Sequence, residues 1–207
     1  MRPTSVAAMA VAILIATSGA AIAGNYVLTI DGKPYEIDLG APATVALQDG
    51  RRVQIALEKK DVAIFKTANF AFGHPSFVTP SRRDLGDGVF QTIMTTPSGS
   101  LIMVQEYAGI DPSGIVDFVL NALLKEEVQY GYDIKRSDAS RKLADGTTIS
   151  GRRALSRYKN DQYERNVLCH SARDSGITVI TQVEKSAPRE DLAMVELFWK
   201  TLTISVK

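Results

Sequence analysis

The chain has 207 residues, a formal net charge of +1, 45% hydrophobic residues and a single cysteine. That is enough chain to build a hydrophobic core, and one cysteine cannot close an internal disulfide. A near-neutral balance gives no footing for nucleic acid or an anionic membrane surface as partner, since both favour a marked basic excess.

The first 23 residues read as a secretory signal peptide. Arg2 supplies a positive start, residues 6–16 an apolar core, and Ala21-Ile22-Ala23 a small-x-small cleavage pattern before Gly24. The apolar run is shorter than the roughly 20 residues that cross a bilayer as a helix, and no later stretch approaches that length, so residues 24–207 are expected to hold no transmembrane segment. Cleavage would remove Arg2 and leave a neutral periplasmic or secreted protein.

Residues 24–67 predict an N-terminal β module. Segments 26–30 and 35–39 flank Asp31-Gly32, and segments 43–48 and 51–57 flank Asp49-Gly50. Asp-Gly between β-prone runs is a strong hairpin signal. Further strands are expected at 62–66, 89–95 and 101–107. The period then changes. Asp111 is a candidate N-cap, Pro112 suits a first helical position, and Gly131 a left-handed stop, which predicts a helix from about 112 to 130. Strands follow at 132–135, 147–158, 163–171 and 177–184, the last two linked by Arg173-Asp174-Ser175-Gly176. A second helix is capped by Ser186 or Ala187, with Pro188 in its first turn and Leu192, Val195 and Trp199 as its central stripe. A closing strand covers 201–206. The whole predicts an α+β domain at 68–207, mainly antiparallel, with two principal helices.

Several short motifs carry a resemblance. Phe70-Ala71-Phe72-Gly73-His74-Pro75 opens the larger domain, and a hairpin over 89–107 feeds a helix. Leu143-Ala144-Asp145-Gly146 precedes paired strands, and Phe198-Trp199-Lys200-Thr201-Leu202-Thr203-Ile204 closes the chain. In these features residues from about 68 to 205 resemble the PsbP-like fold family, which includes PsbP and DcrB-like bacterial envelope proteins. The resemblance implies an antiparallel sheet with helices packed against its faces. It also implies a protein that binds other proteins as an adaptor, assembly factor or chaperone. Residues 24–67 lie outside it.

Side chains suited to catalysis are few. The histidines are His74 and His170, and no Gly-x-Ser-x-Gly elbow accompanies them. Cys169 and His170 are adjacent on an expected strand, so their side chains should point to opposite faces. Asp84 and Asp87 could join His74 as metal ligands, but Asp-Gly pairs recur here as turns. No catalytic residue, metal or cofactor is therefore expected. Of six basic pairs, at 51–52, 59–60, 82–83, 135–136, 141–142 and 152–153, most have acidic residues nearby and lie beside turns, so they read as solvated loop charge.

The first helix bears the most suggestive surface. Ile115, Phe118, Val119, Ala122 and Leu123 form one stripe, and Val116, Leu120, Leu124 and Val128 lie beside it, so the apolar arc covers roughly 240°. Such an arc is either covered on two sides or leaves a strip open, and an open strip would be lined by Val116, Leu120 and Leu124. The expected function is a non-enzymatic, exported protein-binding module whose partner is another envelope protein, engaged through sheet edges or this helix. The alternatives are a carrier with an apolar pocket between helix and sheet for a small apolar ligand or lipid, and a hydrolase of unrecognised type centred on His74.

Overall fold

The computed structural model describes residues 26–206, in two compact units that divide between Lys59 and Lys60. The expected signal peptide at residues 1–23 lies outside the described residues. In the first unit, β1 (Tyr26–Ile30) pairs with β2 (Lys33–Ile37), and β3 (Ala43–Ala46) with β4 (Arg52–Ile55), both antiparallel. Asp31 and Gly32, at φ 49° and 79°, both occupy the left-handed region that a tight two-residue hairpin demands. The second hairpin is wider, and Gly50 closes it by donating to the Leu47 carbonyl at 3.1 Å. The Tyr35 hydroxyl donates to the Ala46 carbonyl at 2.8 Å, and Leu39 bridges Leu57, which ties the hairpins together.

The second unit starts with β5 (Val62–Lys66), which pairs with β6 (Phe70–Pro75). The strand at 62–66 was expected within the module at 24–67 but belongs to the larger unit. Its apolar face explains why: the Phe65 ring stacks on Phe72 at 5.4 Å, and Phe72 on Phe70 at 5.9 Å. A short closing strand, β14 (Thr203–Ile204), pairs with the other side of β6.

Seven strands form the main sheet: β7 (Ser81–Gly86), β8 (Val89–Thr95), β9 (Leu101–Ala108), β10 (Asp133–Lys142), β11 (Thr148–Tyr158), β12 (Asp161–Ala172) and β13 (Ser175–Glu184). Their order is β10-β11-β12-β13-β9-β8-β7, with every pairing antiparallel. The fold is thus α+β with a mainly antiparallel sheet, as the sequence predicts. Gly176 sits inside β13, not in the preceding turn. A Cβ there would lie 2.5 Å from Pro112 Cδ and 2.6 Å from the His170 carbonyl oxygen, so the strand can pass beneath the Pro112 turn only as glycine.

Between β9 and β10 the chain makes a 3₁₀ turn (Pro112–Ile115) and then α1 (Val116–Tyr130). The Asp111 carboxylate accepts from the Ser113 N–H at 2.8 Å, and Gly131 at φ 81° ends the helix, so both expected signals act. The second helix, α2 (Arg189–Thr201), begins differently. Pro188 is its N-cap, and the Ser186 hydroxyl donates to Glu184 instead of capping the helix. No helix among the described residues is long and apolar enough to cross a membrane.

The two faces of the sheet are covered by different elements. On β12, Val167 and Leu168 point oppositely, Val167 into the cluster beneath α1 and Leu168 into the larger cluster beneath α2. The α1 cluster corrects the strip expectation. Val116, Leu120 and Leu124 are 6%, 1% and 0% exposed and pack on Ala154, Val167 and Ile180. The row at i, i+4 and i+8 faces the sheet, and Phe118 on the neighbouring row turns to solvent. The sheet-facing side chains pack between α1 and the sheet. On the other face, Met194, Phe198, Trp199 and Leu202 join Phe70 and Phe72 against Ile102, Val104, Leu168 and Val179. Leu192, expected on the buried stripe of α2, is exposed, and Asp191 is buried instead.

Candidate functional site

His74 is buried in β6, its Nδ1 3.0 Å from the Pro75 carbonyl, an atom that can only accept, so Nδ1 carries the proton there. The neighbouring Ser76 hydroxyl donates to the Lys60 carbonyl, not to the imidazole. Cys169 and His170 lie in a stretch of β12 whose register against β13 is unbroken, so their side chains diverge. Burial pushes the Cys169 thiol above its usual pKa, and the Asp111 carboxylate adds to that rise, which favours the protonated and unreactive form. The Asp84 carboxylate accepts from the Gly86 N–H at 2.8 Å, and Asp87 adopts φ 52°, so both serve the β7–β8 turn.

A cleft of about 500 Å³ opens beside Arg82, Phe90 and Glu106. Its polar groups are already matched to one another. Glu106 accepts from Arg82 Nη2 at 2.9 Å and Nε at 3.1 Å through one oxygen, and from Asn69 at 2.9 Å and Thr67 at 3.3 Å through the other. The Arg82 guanidinium lies 4.2 Å from the Phe90 ring centroid. This saturated network ties β7 and the β5–β6 turn to β9.

A groove runs along α2 over the open half of the same sheet face. Two adjoining depressions, of about 350 and 220 Å³, share Glu164, Val183 and Leu192. Alternation along the strands brings Leu155 and Val183 up as the floor, while Leu192, Val195 and Trp199 of α2 form one wall. Leu192 is 42% exposed, an aliphatic side chain standing in the open groove. The other rim is cationic. Arg141 stacks over the Trp199 ring at 4.5 Å, and Arg153 pairs with Glu164 at 2.6 Å.

Here the reading of the basic pairs is corrected. Arg82-Arg83, Lys135-Arg136 and Arg152-Arg153 lie within β7, β10 and β11, not beside turns. Each pair therefore sends one cation to each face of the sheet. Sequence reasoning missed this because β10 is so polar that only its first residues read as a strand. On β11 the run expected at 147–158 already contains Arg152-Arg153, so only β10 had to be extended to its full, paired length.

Asp191 anchors α2 at the end of the groove. It lies in the first helical turn, and its carboxylate accepts from Thr96 Oγ1 at 2.5 Å and from the Ser98 hydroxyl. Burial pushes its pKa up, but the hydrogen bonds from Ser98 and Thr96 outweigh that and hold it below the ordinary carboxylate value. A depressed folded-state pKa gives stability that is present above the unfolded value, near ~4, and is lost as pH falls through the lower folded value. Asp191→Asn should therefore lower stability by about 1–2 kcal/mol at neutral pH. The gap from the parent should narrow below pH ~4. Thermal melts of both proteins at pH 7 and pH 3 check this, and a constant gap would refute it.

No protein-family model matches the chain, and no curated protein matches it.

Proposed function

We propose that this chain is an exported, non-catalytic protein-binding module of the bacterial envelope, PsbP-like over residues 68–205, which holds a segment of another envelope protein in the groove beside α2. The observation that carries this reading is the groove itself, with an apolar floor, an exposed Leu192 and a cationic rim on rigid strands. Aliphatic anchors within a polar rim suit the recognition of a polypeptide side of modest area. The long edge strand β10, paired along all ten of its residues with β11 alone, bounds the groove and adds a row of free backbone groups.

A photo-crosslinking amino acid placed at Leu192 tests the reading in living cells. It should yield a covalent adduct of discrete mass. The same residue at Phe118, 73% exposed on the opposite face, should yield none. Adducts at Phe118 and none at Leu192 would overturn the assignment.

A further inference from the structure

We infer that the segment held in the groove is acidic and extended, with aliphatic residues interspersed among its carboxylates; this rests on the reading of the groove as a protein-binding site and names its partner class. The charge along β10 and β11 is lopsided, since basic residues outnumber acidic ones by more than two to one between Asp133 and Lys159. The two faces of these strands treat that charge differently. On the α1 face the arginines have partners: Arg152 pairs with Asp117 at 2.9 Å and with Asp138, and Arg136 donates to Asn121 at 2.7 Å.

On the groove face the balance is reversed. Glu164 and Glu196, the acids inside the groove, are paired with Arg153 at 2.6 Å and Lys200 at 2.7 Å. Lys135, Arg157 and Lys185 have no salt-bridge partner among the described residues, although Asp133 stands at the register position across from Arg157. Arg141 offers its charge above the Trp199 ring. Of these cations Arg141 and Lys185 line the groove itself, Lys185 at its β13 end, while Lys135 and Arg157 follow beyond it on the same face of β10 and β11.

Spacing and shape indicate an extended polypeptide. Lys135, Leu155, Glu164 and Val183 follow one another across β10, β11, β12 and β13 on this face, at the strand spacing of roughly 4.8 Å. A strand-like segment repeats its same-face side chains about every 6.8 Å, longer than the step from strand to strand, so it meets cation and aliphatic positions by crossing the strands obliquely. The α2 wall rises beside the floor, so a flat bilayer cannot reach Leu155 or Val183. The aliphatic floor offers no stacking platform for bases, and Arg141 already covers the Trp199 ring.

The test is fluorescence anisotropy with the purified protein and a labelled dodecapeptide repeating Glu-Glu-Leu-Leu, in which Glu and Leu alternate along each face of an extended chain. Peptides repeating Ser-Ser-Leu-Leu or Lys-Lys-Leu-Leu serve as comparisons, and phosphatidylglycerol vesicles and a single-stranded oligodeoxynucleotide as competitors. The Glu peptide should bind, lose affinity as salt rises, and weaken about tenfold in Arg141→Glu/Lys185→Glu. Lys125→Glu/Lys142→Glu carries the same charge change away from the groove and should stay within about twofold of the parent. If the Arg141 variant fails to fold, Lys135→Glu/Lys185→Glu, both at exposed residues, replaces it. Equal binding of the Ser or Lys peptide, equal loss in the control variant, or displacement by vesicles or oligonucleotide would overturn the inference. A crosslinked partner at Leu192 without preference for the Glu peptide would overturn it too, while leaving the protein-binding reading intact.

Discussion

Leu120→Asp is expected to abolish the cooperative thermal transition of this protein. Leu120 is 1% exposed at the centre of the row by which α1 meets Ala154, Val167 and Ile180. Truncation to Ala removes apolar contact and leaves a cavity, at a cost of about 2–5 kcal/mol. Aspartate adds the desolvation of a carboxylate that has no cation beside it, several kcal/mol more. Against a typical domain stability of about 5–15 kcal/mol, Leu120→Ala should melt at a lower temperature and Leu120→Asp should not fold. Phe118→Asp, on the solvent side of the same helix, should stay within about 0.5 kcal/mol of the parent. Circular dichroism melts of the three variants decide the matter. A parent-like melt for Leu120→Asp would mean that a different row of α1 faces the sheet. Loss of a binding partner in Leu120→Asp would report unfolding, so surface tests belong at Leu192.

Most of the architecture was legible because local chemistry and tertiary pairing agreed. The bounds expected at 62–66 and 89–95 match β5 and β8, both rich in β-branched and aromatic residues, and Asp111 and Gly131 bracket the helical segment as their cap chemistry requires. Where the two disagreed, the sequence misled. β7 is Ser-Arg-Arg-Asp-Leu-Gly, exposed at every position, and is a strand because β8 offers it a free edge. In α2 the apolar residues cover so wide an arc that composition could not say which row turns inward. Met194 and Phe198 do so because the Phe70 and Phe72 rings wait beneath them, the Phe72 and Phe198 centroids 5.0 Å apart. The groove was illegible for the same reason. It exists only because that rotation exposes Leu192 and because long polar strands place Lys135, Arg141 and Arg153 on one face.

Replacing Glu127 with Ala should destabilise the protein by about 3–5 kcal/mol, because it strands Arg165 beneath α1 without its countercharge. The pair meets at 2.6 Å with side chains only 10% and 7% exposed, and Arg165 Nε donates to Gln182 at 2.9 Å. The remaining oxygen, Glu127 Oε2, is buried with no partner, so the pair is incompletely satisfied. An incompletely satisfied buried pair gains less from attraction than desolvation costs it. The double variant Glu127→Leu/Arg165→Met should accordingly recover at least the parent's stability, although Glu127→Ala and Arg165→Met are each strongly destabilising. Urea unfolding of the parent, both single variants and the double completes the cycle. Single variants that each cost under about 1 kcal/mol would show the pair to be screened by water rather than buried. If the double variant is stable but its α1 amides exchange faster with solvent, the pair's contribution is positional. Glu127 lies on the same face of α1 as Leu120 and Leu124, and only a helix rotated as observed can bring its carboxylate to Arg165. The ion pair would then be what selects that row over the equally apolar one carrying Phe118.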